Sequence, residues 1–194
     1  DITNIEFSNY QNIYLTGYYK DYKYFFDENN IRNIYKTFEF LIPLSDRNVF
    51  FLNKIKSTIS ISIHIRRSDY LNSINITTHG LCSLDYYINS INYFLNNFED
   101  PSFFIFTDDI NWATNNILKY LPQFDIIDNN TGCNAYLDLY LMSNCKHNII
   151  ANSTFSWWAA WLNKNINKTI IAPKKWLAHD KDINPILPSQ WIKF

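Results

Sequence analysis

Two guanidiniums, an imidazole and a carboxylate crowd into the stretch Ser60 to Tyr70, Ser-Ile-Ser-Ile-His-Ile-Arg-Arg-Ser-Asp-Tyr. Adjacent arginines, Arg66 and Arg67, offer planar, bidentate donors of the kind that grip phosphate. Asp69 stands close enough in sequence to orient one of them or to take up a proton, and His64 adds a ring nitrogen. A plainer reading is a satisfied histidine on a strand face and an exposed Arg67–Asp69 ion pair of little worth. The rest of the chain has to separate the two.

Two further clusters bear on that choice. Phe106-Thr107-Asp108-Asp109 is followed by Trp112. Asp109 is placed to cap a helix, which leaves Asp108 to face the N1–H and amine of a guanine, or a ribose. A metal pair is the alternative, but capping competes with it. The other cluster is Asn152-Ser153-Thr154-Phe155-Ser156-Trp157-Trp158. Asn or Ser here would cap the next helix and leave backbone N–H groups outward as an anion site, with hydroxyls of Ser153, Thr154 and Ser156 as added donors. Trp157, Trp158 and Trp161 read as core.

The elements that must position these clusters follow from periodicity. Ile59, Ile61, Ile63 and Ile65 alternate with Ser60, Ser62, His64 and Arg66, a strand with two unlike faces, one of them core. From there the order is regular. Ser83 caps a helix carrying Tyr87, Ile88, Ile91, Phe94 and Leu95. Strand Ser102–Phe106, helix Ile110–Leu121, strand Phe124–Ile127 and helix Ala135–Ser143 come next, then strand Asn148–Ala151, helix Phe155–Leu162 and strand Thr169–Ala172. Five strands alternating with helices predict an α/β fold with a parallel sheet covered on both faces. In such sheets ligands sit beyond the carboxyl ends of the strands, where all three clusters fall. Upstream, Ile13–Tyr19 reads as a short β-like run, Asp21–Phe40 has helical spacing, and residues 41–58 form a connector with a short helix.

Composition narrows the partners. Of the 194 residues 47% are hydrophobic and 18% aromatic, so a folded core is expected. The formal charge is −1 with no basic run, so nucleic acid is not expected as a partner. Cys82, Cys133 and Cys145 are an odd set without metal spacing and read as reduced thiols. No stretch approaches the roughly 18 apolar residues of a membrane span. Neither GxGxxG nor GxxxxGK[ST] occurs, so a bound phosphate must be held by side chains and helix starts. Arg66 and Arg67 for a diphosphate, the Ser-rich helix start, and Asp108 toward a base or sugar together describe a nucleotide-diphosphate site.

In this order the clusters resemble those of the bacterial α-1,2-fucosyltransferases, a glycosyltransferase family 11-like group. His64-Ile65-Arg66-Arg67-Ser68-Asp69-Tyr70 is similar to the motif HxRRxDY, with Ser68 where Gly is usual, and Phe106-Thr107-Asp108-Asp109 to F-S-D-D. Asp138–Met142 and Asn148–Trp161 resemble the longest signature, with Thr154 and Ala159 for the usual Ser and Gly; His79-Gly80 and Tyr86-Tyr87 also fit. The likeness runs from about Tyr14 to Trp176. A GGLGNQ-like segment expected earlier in the family does not appear after Asp1, so an amino-terminally truncated chain is expected.

The resemblance implies a GT-B fold, with residues 59–194 as the Rossmann-like, donor-binding half and residues 1–58 as a remnant of the acceptor-side domain. It implies GDP-fucose as donor, a galactose-terminated oligosaccharide as acceptor, and inverting transfer to a 2-hydroxyl. Arg66 is then expected to meet charge on the β-phosphate, with Asp69 orienting an arginine or, like His79, serving as base. His64 and Asp108 are expected to read the nucleoside, and Arg67, Asp109, Asn152, Ser153, Thr154, Phe155 and Ser156 to complete substrate binding. No metal or other cofactor is required by this scheme. A cytoplasmic place, peripheral to the inner membrane, is expected from the bacterial resemblance. The alternatives are a GDP-fucose transferase of different linkage, a non-catalytic GDP-sugar-binding fragment and a purely structural α/β domain.

Overall fold

The structure is a computed structural model that describes residues 12, 14, 16, 21–25, 28–38, 40, 43–179 and 186–194. It divides into two compact units, residues 1–39 with 185–188, and residues 40–184 with 189–194. In the first, a 3-10 turn Tyr22–Phe25 precedes helix α1 (Glu28–Thr37), on which Ile31, Ile34 and Tyr35 recur at helical spacing and are half-buried. The expected β-like run Ile13–Tyr19 lies, apart from Tyr14 and Thr16, outside the described residues.

The second unit begins with helix α2 (Asp46–Ser57), capped by Ser45, and runs into β1 (Ile59–Ile65). A short helix α3 (Ser73–Thr78) and the longer α4 (Leu84–Asn97) lead to β2 (Pro101–Thr107), then α5 (Ile110–Asn116) to β3 (Phe124–Ile127). Helix α6 (Tyr136–Asn144), β4 (His147–Ile149), α7 (Thr154–Leu162), β5 (Ile170–Ala172) and β6 (Ile192–Lys193) complete it. The strands are all parallel, in the order β3-β2-β1-β4-β5-β6. This is the Rossmann-type order, and the chain reverses direction across the sheet between β1 and β4.

Each face of the sheet is covered. Ile61, Ile63 and Ile65 of β1 pack with Tyr86, Tyr87, Ile91 and Phe94 of α4 and Ile117 after α5. Burying each of these isoleucines is worth roughly 1.5–3 kcal/mol, and a one-residue slip would put serine in their place, so the register is strongly specified. On the other face Phe104 and Phe106 of β2 meet Phe51, Leu52 and Ile55 of α2 and Leu141 and Met142 of α6. Because α2 packs here, it belongs to the same compact unit as the sheet.

The polar face of β1 departs from expectation. Ser60, Ser62 and His64 are buried, not merely the unlike side of a half-covered strand. The two serines are satisfied across the β1–β4 seam: Lys146 N–H donates to Ser60 Oγ at 3.0 Å and Asn148 Nδ2 to Ser62 Oγ at 2.7 Å. Asn148 in turn accepts from Asn163 Nδ2 at 2.8 Å. Buried polar groups need such partners, and a strand of alternating Ile and Ser can be central only because β4 brings them.

Two elements escaped the sequence reading. The two-residue β6 is too short to show alternation, and its place is secured by Lys174 N–H to Phe194 O (2.7 Å) and Phe194 N–H to Ala172 O (3.1 Å). Between β1 and Gly80 lies α3, started by Asn72, whose side chain accepts from Asn75 N–H at 2.8 Å. Among the described residues no helix is long and apolar enough to cross a membrane.

His147, at the start of β4, ties two strands together. Its Nδ1 accepts Thr169 N–H at 3.0 Å while its ring lies 4.4 Å from that of Phe98. Burial, and then the charge of Lys146, push its pKa from 6.5 down to about 4. The folded chain therefore binds fewer protons here than the unfolded one, and this contribution to stability is full above pH 6.5 and lost as pH falls toward 4. Thermal melts of His147→Asn, which keeps an acceptor but cannot titrate, are expected to lose less Tm over that interval than the parent chain. Equal losses would show that the ring is not the titrating group.

Candidate functional site

A cavity of about 560 Å³ opens at the carboxyl edge of the sheet, beside the β1–β4 reversal. The end of β1 contributes His64, Arg66, Asp69 and Tyr70; the end of β2 adds Phe106, Thr107 and Asp108; and Ser153, Thr154 and Phe155 come from the start of α7. All three clusters read from the sequence therefore reach one wall. The topology explains why: parallel strands put their carboxyl ends, and the loops that follow, on the same side.

The two arginines part company. Arg66 lines the cavity, its Nη2 2.8 Å from Asp69 Oδ2 and its Nη1 3.2 Å from Asp108 Oδ2, with Tyr70 beneath the guanidinium at 5.9 Å. Arg67 turns away from the cavity lining. Its Nε donates to Asp109 Oδ2 at 3.3 Å and its guanidinium lies 4.2 Å over the ring of Trp112. Expected as a second phosphate ligand, Arg67 is placed as a brace between the β1 loop and α5, because the carboxylate and indole there compete for its fork.

Asp108 is committed too. Its Oδ1 accepts Arg67 N–H at 2.8 Å, its Oδ2 accepts Ser68 N–H at 3.2 Å, and the same oxygen forms the ion pair with Arg66. It was expected to be left over for a base or sugar; its oxygens instead hold the loop after β1. Asp109 caps α5 as expected, taking Trp112 N–H on Oδ1 at 2.9 Å, and shares its other oxygen with Arg67. Among the described residues no three His, Cys, Asp or Glu side chains gather as a metal-binding group.

The start of α7 also differs from expectation. Ser153 makes no side-chain cap, unlike Ser45, Asn72, Ser83 and Asp109 on their helices, so the first turn of α7, which lines the cavity, has no side-chain cap from its N-cap residue. Asn152 does not cap either. Its Nδ2 donates to the carbonyls of His79 (2.8 Å), Trp176 (3.2 Å) and Gly80 (3.4 Å), clamping the loop before α4. Ser156 is fully buried and its hydroxyl returns to Ser153 O at 3.3 Å. Asn152 and Ser156 thus build the wall from behind and do not line the cavity. Trp157 and Trp161 are core, stacked at 5.0 Å.

His64 is buried, and that burial, with the charge of Arg66 second, lowers its pKa from 6.5 to about 3. It is therefore a neutral imidazole at the cavity wall, with Nδ1 lacking a hydrogen-bond partner among the described residues. His79 stacks on Tyr70 at 4.9 Å, and Tyr70 Oη donates to Asn152 O at 3.3 Å.

Four further lining residues were not recognised from sequence as part of the site. Asn130, Thr131 and Gly132 follow β3, and Asp138 lies in the first turn of α6. Asp138 Oδ1 accepts Asn130 Nδ2 at 2.8 Å; burial raises its pKa from 3.8 to about 6, against the pull of that hydrogen bond. Its signal was available: an acidic residue in the first turn of the helix after β3, at the same sheet edge as the other clusters.

Taken chemically, the cavity is lined by a guanidinium, the start of α7, a carboxyl and an amide, which suits an anionic group joined to a hydrogen-bonding ring. Comparison with known proteins finds glycosyltransferases. An α-1,2-colitosyltransferase of Escherichia coli is 34% identical over 184 residues, 91% of this chain and 61% of that protein. The O-antigen biosynthesis glycosyltransferase WbnK of Escherichia coli is 38% identical over 132 residues, 68% of this chain and 43% of that one. The galactoside 2-α-L-fucosyltransferase SEC1 of Bos taurus is 26% identical over 112 residues, 57% of this chain and 30% of that one. The chain thus spans less than two thirds of the length of these relatives. Since the model of Glycosyl transferase family 11 matches residues 1–193, nearly end to end and across every loop that builds the cavity, the chain belongs to that family.

Proposed function

We propose that this chain is the donor-binding half of a GT-B glycosyltransferase that moves fucose from GDP-fucose to the 2-hydroxyl of a galactose-terminated acceptor. The observation that carries the reading is Arg66 on the cavity wall at the β1–β4 reversal, in one cavity with the uncapped start of α7. The bond between the sugar's anomeric carbon and the β-phosphate oxygen breaks as the acceptor hydroxyl oxygen attacks from the opposite face, GDP leaves with the electron pair, and the hydroxyl proton passes to a base, for which Asp69 and His79 are the candidates. Positive groups placed where that charge develops stabilise the transition state more than the ground state. Arg66 and the α7 N–H groups supply them in this scheme, without calling on a divalent cation. Asp69, 2.8 Å from Arg66, orients the fork.

Base recognition falls to Asp138 in this reading, since the oxygens of Asp108 hold the β1 loop. An ionised carboxyl matches the parallel N1–H and N2–H donors of guanine, while neutral His64 offers a further ring contact. The α-1,2 linkage named in both the colitosyltransferase and the fucosyltransferase relatives supports the linkage. A colitosyl donor is the second reading, favoured by the 34% identity over 91% of this chain. Turnover with one activated sugar and not the other, on lactose, separates the two.

Three outcomes are expected. Arg66→Lys, which keeps charge but loses the planar fork, lowers transfer by about 100-fold or more; near-parental turnover, read as GDP release, would remove Arg66 from the chemistry. Arg67→Ala costs about 1–2 kcal/mol of stability through loss of its Asp109 and Trp112 contacts, while calorimetric GDP affinity per folded chain changes little; a loss equal to that of Arg66→Ala would make Arg67 a ligand. GDP affinity falls as pH drops below about 6, where Asp138 protonates and loses its paired acceptor edge. Asp138→Asn binds GDP more weakly and flattens that pH profile, and a flat parental profile would refute the assignment.

A further inference from the structure

Asp138 is held by a chain of amides that starts outside the cavity, on α2. Asn130 is buried, and its side chain forms a reciprocal pair with buried Asn48: Asn48 Nδ2 donates to Asn130 Oδ1 and Asn130 Nδ2 donates to Asn48 Oδ1, each at 2.9 Å. Asn129 Nδ2 donates to the same two oxygens, at 3.1 Å to Asn130 and 3.0 Å to Asn48, which marks both as acceptors. Asn48 is itself fixed by the α2 cap, its Nδ2 3.1 Å from Ser45 Oγ. A primary amide has two N–H bonds on one side and an oxygen on the other. With Oδ1 and one N–H of Asn130 engaged by Asn48, the remaining N–H points to Asp138 Oδ1 at 2.8 Å. Flipped, Asn130 would turn a carbonyl oxygen toward the carboxyl instead.

We propose that Asn48 is a positioning residue that locks Asn130 in the amide orientation presenting an N–H to Asp138, and so keeps Asp138 ionised and aimed for base selection. The base-selection half rests on the nucleotide reading above; the positioning half does not. Other charged groups of the cavity and of α2 are already paired: Arg66 with Asp69 and Asp108, Arg47 of α2 with Asp128, and Lys54 of α2 with Asp125. Neutral His64 and Tyr70 complete the titratable groups lining the cavity. Burial raises the pKa of Asp138 and the Asn130 hydrogen bond opposes it, so losing the lock moves its titration upward from about 6.

Carboxyl ¹³C NMR titration of Asp138 in the ligand-free full chain tests this, comparing the parent with Asn48→Leu, which keeps the volume, and Asn48→Ala, which relieves any crowding. The expected result is an upward shift of roughly half a pH unit or more in whichever variant keeps the folded spectrum, reproduced by Asn130→Ala. An unchanged titration in a folded Asn48 variant overturns the proposal. Calorimetry with GDP, IDP and GMP then reads selectivity. A several-fold loss of the preference for GDP over IDP, with the GDP-to-GMP ratio unchanged, supports the proposal, because the diphosphate contacts are untouched. A preserved GDP-to-IDP preference overturns the base-selection half. Should no nucleotide bind while the NMR shift appears, the positioning of Asp138 stands and the nucleotide reading fails.

Discussion

The site depends on one carboxylate, that of Asp108. It accepts the N–H groups of Arg67 and Ser68 and forms an ion pair with Arg66, and thereby holds the loop after β1 against the end of β2. Ser68 Oγ closes the clasp by donating to Asp108 O at 2.7 Å. Hydrogen bonds to a charged group contribute more than neutral ones, about 1.5–3 kcal/mol each. Two such bonds and the ion pair with Arg66 converge here, which is enough to fix a loop that otherwise has few apolar contacts: Arg67, Ser68, Asp69 and Leu71 are not buried. Arg66 inherits its place on the cavity wall from this clasp.

From that point the two arginines take different tasks. Arg66 is the one presented to the cavity, while Arg67 is spent on Asp109 and Trp112, which locks α5 to the same loop. The pairing makes chemical sense. A guanidinium offered to a ligand has to be held without being saturated, and Asp69, about half exposed, is a partner that a phosphate can displace, whereas Asp108 is more buried and fixed by backbone. Behind this wall the buried serines of β1 and the amides of Asn148 and Asn163 form a satisfied polar seam in the middle of the sheet. A half-satisfied seam would be costly in so dry a place, so β4 has no freedom to shift relative to β1. The reversal point between those strands, where the cavity opens, is correspondingly rigid.

The lining around Asp138 is organised by a second polar network rather than by charge. Asn48, Asn129 and Asn130 pair with one another and terminate on Asp138, connecting a helix that precedes β1 to the first turn of α6. This is why α2 belongs with the sheet: it buries Phe51, Leu52 and Ile55 on one side of the core and delivers Asn48 to the cavity's edge.

Much of this was legible in the sequence. Alternation in Ile59–Ile65, helical spacing after Ser83 and the β–α rhythm that follows specify a parallel sheet, because period and chain direction are local properties. The capping roles of Ser83 and Asp109 were equally local, set by a side-chain oxygen three residues before an N–H. What the sequence could not reveal was competition between partners distant along the chain. Asp108 became a clasp because Arg67 and Ser68 fold back onto it, Arg67 left the cavity because Trp112 and Asp109 lie beneath it, and Asn152 gave up capping because three carbonyls of other loops surround it. Asp138 and Asn130 went unrecognised as site residues for the same reason: their environment is made by β3, α6 and α2 meeting. Residue types and spacing determined which groups stood at the sheet's carboxyl edge; only the tertiary structure decided which of them face the cavity, since hydrogen-bond acceptors are shared out in space and not along the chain.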